Sequence, residues 1–535
     1  MRRKKLLLLS SLAFSLVLYS CTKTFPISSS TGDNQSIYSP TSSPVSSETS
    51  APVSSNSSSS SISSNSSSFA DSSTSSSTDS SSSTSEPLPP DEDGVITIYS
   101  INDFHGKIRQ DDGYNGIVAM QGAILSDVDY EDTSLVISSG DMWQGSYISG
   151  YDYGLSTTLL MNDFPFASMT LGNHEFDWGV ETIQNNMKEA DFPFLCANLV
   201  YEGTKQRASW IKDHVILEIE GHKLGIVGAI GADLESDIKI SALEGYEFSD
   251  SINLLESSYY DCLDEGAEAV ILSLHDDQDS DYTNRIQRSN IDFLGIFGGH
   301  SHKFQNESGR IPYVQGGSDS RGYSYMRIDL NKNDLVDIGY RKVESSMSQY
   351  ATLSFLEEVE ALIAARPVVT IGYIEGYWTK EKTAKLVVKA MFEAAKKQFP
   401  DRDYDESNLI AVHNTGGVRG TFPYSPTSLP ITMNEIQIVS PFNNTLYLLP
   451  DKTIRASGLE GFNYCYPEAS TLNNKQADII IIDYLLDKYN EPMYDSTGGE
   501  QLLDADGMPY IIYDVVADYI HDNSSIDDPL SADDF

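Results

Sequence analysis

Val95-Ile96-Thr97-Ile98-Tyr99-Ser100-Ile101-Asn102-Asp103-Phe104-His105-Gly106 decides how the chain is read. Seven uncharged residues, mostly β-branched or aromatic, run straight into an Asp-x-His pair and a glycine. That is the profile of a buried strand delivering polar side chains at its end. The same event recurs. The run from Ser134 to Ser138 leads to Gly140-Asp141-Met142-Trp143-Gln144-Gly145, and Gly172-Asn173-His174-Glu175-Phe176-Asp177 forms a third site of the kind. Ala269 to Leu274 leads to His275, and Ile291 to Phe297 leads to Gly299-His300-Ser301-His302. Five of the nine histidines of the chain stand in these motifs, so imidazole is concentrated where strands end.

Between the apolar runs lie helical patterns at Gly116 to Asp127, Gly179 to Ala190 and Ser251 to Gly266; a further strand is expected at Lys223 to Val227. Short strands alternating with helices predict an α/β layer architecture with both sheet faces covered. Ile311 to Leu330 reads as extended chain broken by a Gly316-Gly317 turn. Tyr350 to Ala365 reads as a helix with Leu353, Leu356, Val359, Leu362 and Ile363 on one face, ended by Arg366-Pro367. Expected boundaries are a first domain over 94–345, a connector over 346–366 and a second domain over 367–535. The second domain is expected to hold a lysine-rich amphipathic helix from Thr379 to Phe399, whose lysines form its solvated face, and a strand from Asn408 to His413.

The N-terminus reads as a processing signal. Arg2, Arg3, Lys4 and Lys5 precede an apolar stretch from Leu6 to Ser20, shorter than the roughly 20 residues that span a bilayer. Leu18-Tyr19-Ser20-Cys21 resembles a bacterial lipobox, which makes Cys21 the expected lipidation site and 1–21 the signal segment; an ordinary secretory signal is the plainer alternative. Residues 22–93 are rich in Ser, Thr and Pro and too poor in apolar side chains to offset the cost of ordering, so they read as a tether. The protein is expected to be exported and lipid-anchored at the extracellular face of the cell membrane. Cys196, Cys262 and Cys465 form no C-x-x-C pair, which predicts free thiols and argues against a disulfide framework and a cysteine-ligated zinc. The formal charge of −43 argues against nucleic acid as a partner and requires any site for anionic substrates to be made locally positive.

Metal ions supply that charge. Asp, Asn and His donors at converging strand ends suit two divalent cations sharing one carboxylate. Asp141 fits the shared role, Asp103 and His105 one ion, Asn173 and His275 the other, with His300 and His302 divided between them. Donors of oxygen and nitrogen without thiolate suit Zn, Mn, Fe or Co.

In these motifs, 95–343 resembles the metallophosphoesterase domain of the bacterial 5′-nucleotidase/UDP-sugar hydrolase family, and the remainder resembles that family's C-terminal substrate-binding domain. The implied fold is α/β, a four-layer calcineurin-like β-sandwich flanked by helices, plus a smaller α+β domain. The resemblance implies Asp103, His105, Asp141 and His302 around one ion, Asp141, Asn173, His275 and His300 around the other, and His174 with Asp177 as a catalytic dyad. It implies a metal-dependent phosphoric ester hydrolase in which a metal-activated hydroxide attacks nucleoside 5′-monophosphates or related nucleotides. UDP-sugar hydrolysis, cyclic-nucleotide hydrolysis, or a binding or adhesive lipoprotein without turnover are the alternatives. Asn414-Thr415-Gly416-Gly417-Val418-Arg419 resembles the family's Asn-x-Gly-Gly-x-Arg loop, in which Asn414 and Arg419 would hold phosphate. Ser440-Pro441-Phe442-Asn443 resembles the segment whose phenylalanine stacks on a nucleobase. The family's helix signature near Thr379 and its late Gly-Gly-Asp aromatic loop are missing. Tyr489, Phe462 and Tyr464 are the residues considered for the second wall of the base pocket.

Overall fold

The computed structural model describes residues 94–110, 114–127, 134–164, 166–459, 463–486 and 493–535. Cys21, the expected signal segment and the tether lie outside the described residues, as do Phe462 and Tyr489. Among the described residues no helix is long and apolar enough to cross a membrane.

The strands of the first lobe are, in chain order, β1 (Val95–Ile101), β2 (Leu135–Ser138), β3 (Phe166–Thr170), β4 (Phe194–Leu195), β5 (Leu199–Tyr201), β6 (His214–Ile219), β7 (His222–Ile230), β8 (Tyr246–Phe248), β9 (Ala269–His275), β10 (Ile296–Gly298), β11 (Phe304–Glu307), β12 (Tyr313–Gly316), β13 (Gly322–Asp329) and β14 (Asp334–Lys342). They build two six-stranded sheets, ordered β14-β13-β1-β2-β3-β4 and β11-β12-β10-β9-β7-β6. Within the first, β1 to β4 run parallel. Within the second, β7, β9, β10 and β12 do. Parallel strands end together, so each sheet gathers the loops that follow its strands on one edge.

Alternation along each strand sets the layers. Ile96 and Ile98 of β1 join Ile271 of β9, Phe297 of β10 and Met326 of β13 in the apolar layer between the sheets. Tyr99 and Ile101 face the other way, against Ile117, Met120 and Ile124 of helix Gly116–Asp127. On the second sheet, Val270, Leu272 and Leu274 meet Leu255 and Cys262 of helix Ile252–Asp264 and Tyr282 and Ile286 of helix Asp281–Arg288. The result is the expected helix–sheet–sheet–helix stack. Cys196, Cys262 and Cys465 are unbridged, the first two buried.

Directly under the strand ends the layer between the sheets turns polar. Ser139 Oγ lies 3.0 Å from Ser100 Oγ and 3.1 Å from Ser273 Oγ, and Thr170 Oγ1 donates to Ser273 Oγ at 2.8 Å. Short hydroxyl side chains let the two backbones approach and satisfy one another's hydrogen bonding there.

Helix Leu353–Ala364 buries Phe355 and Val359 against the first lobe, where Phe355 meets Phe164 ring edge to face. The chain then leaves through Arg366, which pairs with Asp152 at 2.6 Å and lies over the Tyr151 ring. The second lobe adds β15 (Thr370–Gly376), β16 (Leu409–Asn414), β17 (Ser425–Thr432), β18 (Leu446–Thr453), β19 (Asn463–Tyr466), β20 (Gln476–Ile482), β21 (Glu500–Gln501) and β22 (Leu530–Ser531). Its five-stranded sheet, β19-β16-β20-β18-β21, and three-stranded sheet, β17-β15-β22, share one apolar core with helices Lys380–Gln398 and Ile512–Asn523. The lobes meet where Gln144 Nε2 donates to the Pro441 carbonyl at 2.8 Å.

Phe297 is fully buried between the two sheets. Phe297→Ala is therefore expected to cost about 3–5 kcal/mol by leaving a cavity that flanking strands cannot fill. A denaturant titration showing a loss below about 1 kcal/mol would contradict this view of the core.

Candidate active site

Each motif residue sits where its strand gives out. Asp103 and His105 follow β1, Asp141 follows β2, Asn173 and His174 follow β3, His275 closes β9, and His300 and His302 follow β10. Five of them hold left-handed backbone: Asp103 (φ 49°), His105 (52°), Asp141 (57°), His300 (73°) and His302 (61°). Such conformations cost non-glycine residues of order 1–3 kcal/mol each and persist only where surrounding structure enforces them. Gly140 and Gly172 show how tight the enforcement is. A Cβ on Gly140 would stand 2.6 Å from His275 Nδ1, and one on Gly172 would stand 2.2 Å from Asp141 Oδ1.

All seven expected ligands come together. Asp103, His105 and His302 form one group of converging donors, and Asp141, His275 and His300 form a second. Asn173 Oδ1 lies 3.2 Å from both His275 Nε2 and His300 Nδ1. Proton placement shows what such a cluster requires. His275 Nδ1 is 2.7 Å from the Ser139 carbonyl and His105 Nδ1 is 2.8 Å from the Gln144 carbonyl, so each gives its N–H to a backbone oxygen. The opposite nitrogens are then left to a metal ion or a proton. His275 Nε2 faces Asp141 Oδ2 at 3.2 Å, and His105 Nε2 faces His302 Nε2 at 3.0 Å. Acceptors aimed at acceptors repel unless a cation lies among them, and the donor set suits divalent transition ions.

The electrostatics divide the cluster. Burial pushes His105 down, His302 down to about 4 and His300 down, favouring neutral imidazoles. Burial likewise raises Asp103 to about 7, with Asp141 adding to the rise. Burial opposes the charge on Asp141, yet His275 and His174 beside it hold its carboxyl well below the ordinary range. Burial likewise disfavours the imidazolium of His275, but Asp141 outweighs it and lifts the group to about 10, so His275 carries a proton where a metal ion would displace it. His174 Nδ1 lies 3.0 Å from Asp177 Oδ2, which forms the expected dyad. Burial disfavours the imidazolium of His174, but Asp177 and Asp141 outweigh it and lift the group to about 9.

Two supports were not singled out in the motifs. Glu175, fully buried, accepts from the N–H groups of Asp141 at 2.8 Å, Met142 at 2.8 Å and Gly172 at 2.7 Å, lashing the β2 and β3 loops together. Asn102 Nδ2 donates to Asp103 Oδ2 at 2.6 Å while its Oδ1 accepts from Gly316 N–H, tying that ligand to the second sheet. Asn102 stands beside the donor Asp103 in the sequence, and Glu175 stands two residues after the donor Asn173. That signal was available.

A cavity of about 430 Å³ opens between the cluster and the second lobe, lined by His174, Asp177, Asn414, Arg419 and Phe442 among others. Asn414 Oδ1 is buried without a partner. The Phe442 ring stacks on His174 at 5.6 Å between centroids, and the Arg419 guanidinium lies 5.6 Å from the same ring. Tyr464 lies on β19 against the second lobe's core and does not line this cavity; Tyr484 does. Its hydroxyl donates to the Ser236 carbonyl at 3.4 Å, so β20 and its following turn, not the missing family loop, supply the aromatic opposite lobe.

Residues 96–304 match the calcineurin-like phosphoesterase family. The chain carries a calcineurin-like phosphoesterase domain. That span contains all seven donor residues and the dyad, and the expected enzyme class, a metal-dependent phosphoester hydrolase, stands with it. Beyond the domain the likeness is looser. The chain is 24% identical over 413 residues to the endonuclease YhcR of Bacillus subtilis, covering 68% of this chain and 32% of that one. It is 22% identical over 416 residues to the snake venom 5′-nucleotidase of Crotalus adamanteus, covering 67% and 68%. The chain thus spans about a third of the length of the Bacillus relative. The crystal structure of a 5′-nucleotidase precursor from Thermus thermophilus superposes with a TM-score of 0.61 at 17% identity, over 82% of this chain and 99% of that one. This last likeness extends the shared fold past the phosphoesterase domain into the second lobe.

Glu175→Ala strips the acceptor from three buried N–H groups, each costing about 1–3 kcal/mol when orphaned. Mn²⁺ affinity is expected to fall about 10–100-fold, as when other groups that orient ligands are lost. Calorimetric titration returning wild-type affinity would show that the ligand loops hold themselves.

Proposed function

We propose that the protein is a two-metal phosphoesterase that releases phosphate from nucleoside 5′-monophosphates or closely related nucleotides. The observation that carries this is the meeting, in one cavity, of two acceptor clusters, an Asp-held histidine and an arginine from the second lobe. Asp103, His105, Asp141 and His302 would hold one cation, and Asp141, Asn173, His275 and His300 the other. Bound there, Zn, Mn, Fe or Co would supply Lewis acidity, neutralising phosphoryl oxygens and making water acidic near neutral pH.

The rest falls to the chain's own side chains. Asp177 engages His174 through Nδ1, which leaves Nε2 to meet the leaving oxygen and give it a proton. Arg419, which lies over the Phe442 ring, offers its planar fork to phosphate oxygens, and Asn414 offers its unpartnered amide oxygen to a hydroxyl or amine of the substrate. Phe442 supplies an aromatic face, though in this arrangement it lies against His174, so a base would stack only after that ring moves. The relatives named as 5′-nucleotidases favour a nucleoside as leaving group. The N-terminal sequence favours an exported protein held at the extracellular face of the cell membrane by lipid on Cys21.

Purified protein with added Mn²⁺ is expected to release phosphate from AMP and to lose that activity on chelation. Asp141→Ala is expected to abolish turnover, and His174→Ala to lower kcat by roughly 10²–10⁴-fold. Full activity of Asp141→Ala would overturn the two-metal reading.

A further inference from the structure

A second cavity of about 300 Å³ adjoins the cluster. His105 and His302 form its inner wall, and Arg419 borders both this cavity and the larger one. Two more cations reach it, Lys107 and Lys380, with one carboxylate, Asp319. Asp319 is already matched by Arg321 at 2.8 Å. The cavity is therefore net positive in a chain with 35 basic and 78 acidic residues.

Lys380 is the informative member. Helix Lys380–Gln398 carries six lysines. Lys382, Lys385, Lys396 and Lys397 pair with Asp533, Glu381, Glu393 and Asp522, and Lys389 lies over the rings of Tyr466 and Phe535. Lys380 has no such partner among the described residues. It also occupies the first helical position, where the helix dipole disfavours a cation and favours an acid. Exposed at the cavity's edge and unpaired among the described residues, its ammonium is available to an anion held there.

We propose that this cavity is a subsite for a second phosphate, borne on the arm of a phosphodiester that stays on phosphorus after cleavage. The proposal rests on the phosphoesterase reading and extends its substrates to small nucleotidic diesters. In-line attack places the leaving oxygen opposite the incoming water oxygen, toward His174. The retained ester arm then projects sideways, where a cavity beside His105 and His302 accepts it. The new bond joins water oxygen to phosphorus; the bond from phosphorus to the leaving oxygen breaks with its electron pair on that oxygen. The second phosphate stays intact, held by Lys380 and Arg419. The acidic surface beyond the cleft repels long polyanions, which confines the class to dinucleotide-sized substrates.

The test compares thymidine 5′-(p-nitrophenyl phosphate) with the same diester carrying a 3′-phosphate, in the Mn²⁺-loaded full-length protein. Both release p-nitrophenolate, so only the retained arm differs. Wild type is expected to show kcat/KM at least fivefold higher for the 3′-phosphorylated diester. Lys380→Ala and Lys380→Glu are expected to remove that preference, mainly through KM, while hydrolysis of p-nitrophenyl phosphate stays unchanged. Equal kcat/KM for the two diesters in wild type, or a preference surviving in Lys380→Glu, would overturn the subsite and leave the phosphoesterase reading intact. No turnover of any of the three compounds would overturn both.

Discussion

Seven donor residues from two separate sheets aim their acceptor atoms at one another, and the molecule is organised around tolerating that arrangement. Side-chain oxygens and imidazole nitrogens 3.0 to 3.2 Å apart repel one another unless a metal ion or a proton lies between them. The fold holds them there by force of geometry. Five of the seven sit in left-handed backbone, Glu175 binds two of their loops through three N–H groups, and Asn102 ties Asp103 to the opposite sheet. Beneath them, the hydroxyls of Ser100, Ser139, Ser273 and Thr170 stitch the sheets together at the level where the strands end.

The second lobe contributes charge and shape. Arg419 and Phe442 descend onto His174 from outside the phosphoesterase domain, and Tyr484 reaches back to the Ser236 carbonyl. An acidic protein thus gathers positive charge at a few points near the donor cluster: Arg419, and the neighbouring cavity with Lys107 and Lys380. Elsewhere on that helix its lysines are engaged mostly in surface ion pairs, which contribute little stability individually.

Much of the first lobe was legible in the chain because burial on both faces leaves a plain mark. β1 and β9 fall where the apolar runs put them, and the helix Gly116–Asp127 fills the helical stretch expected between the first two strands. The short edge strands β6, β8 and β11 were not legible, since half-exposed strands carry mixed residues and weak alternation. The helix Leu353–Ala364 was legible as a helix, but its docking through Phe355 onto Phe164 was not. Such a contact joins positions far apart in sequence.

Taken by itself, the sequence determined the donors, because metal chemistry demands particular side chains and strand ends deliver them at recognisable glycine-rich turns. It also determined the His174–Asp177 pair, whose spacing of three is local. The tertiary structure decided what lies opposite those groups. That Tyr484 borders the cavity while Tyr464 does not, that Phe442 rests on His174, and that Lys380 alone among its helix's lysines borders the cavity beside the cluster all follow from how one lobe sits on the other. Local pattern fixes which way a side chain leaves its own element; only packing between elements fixes what it meets.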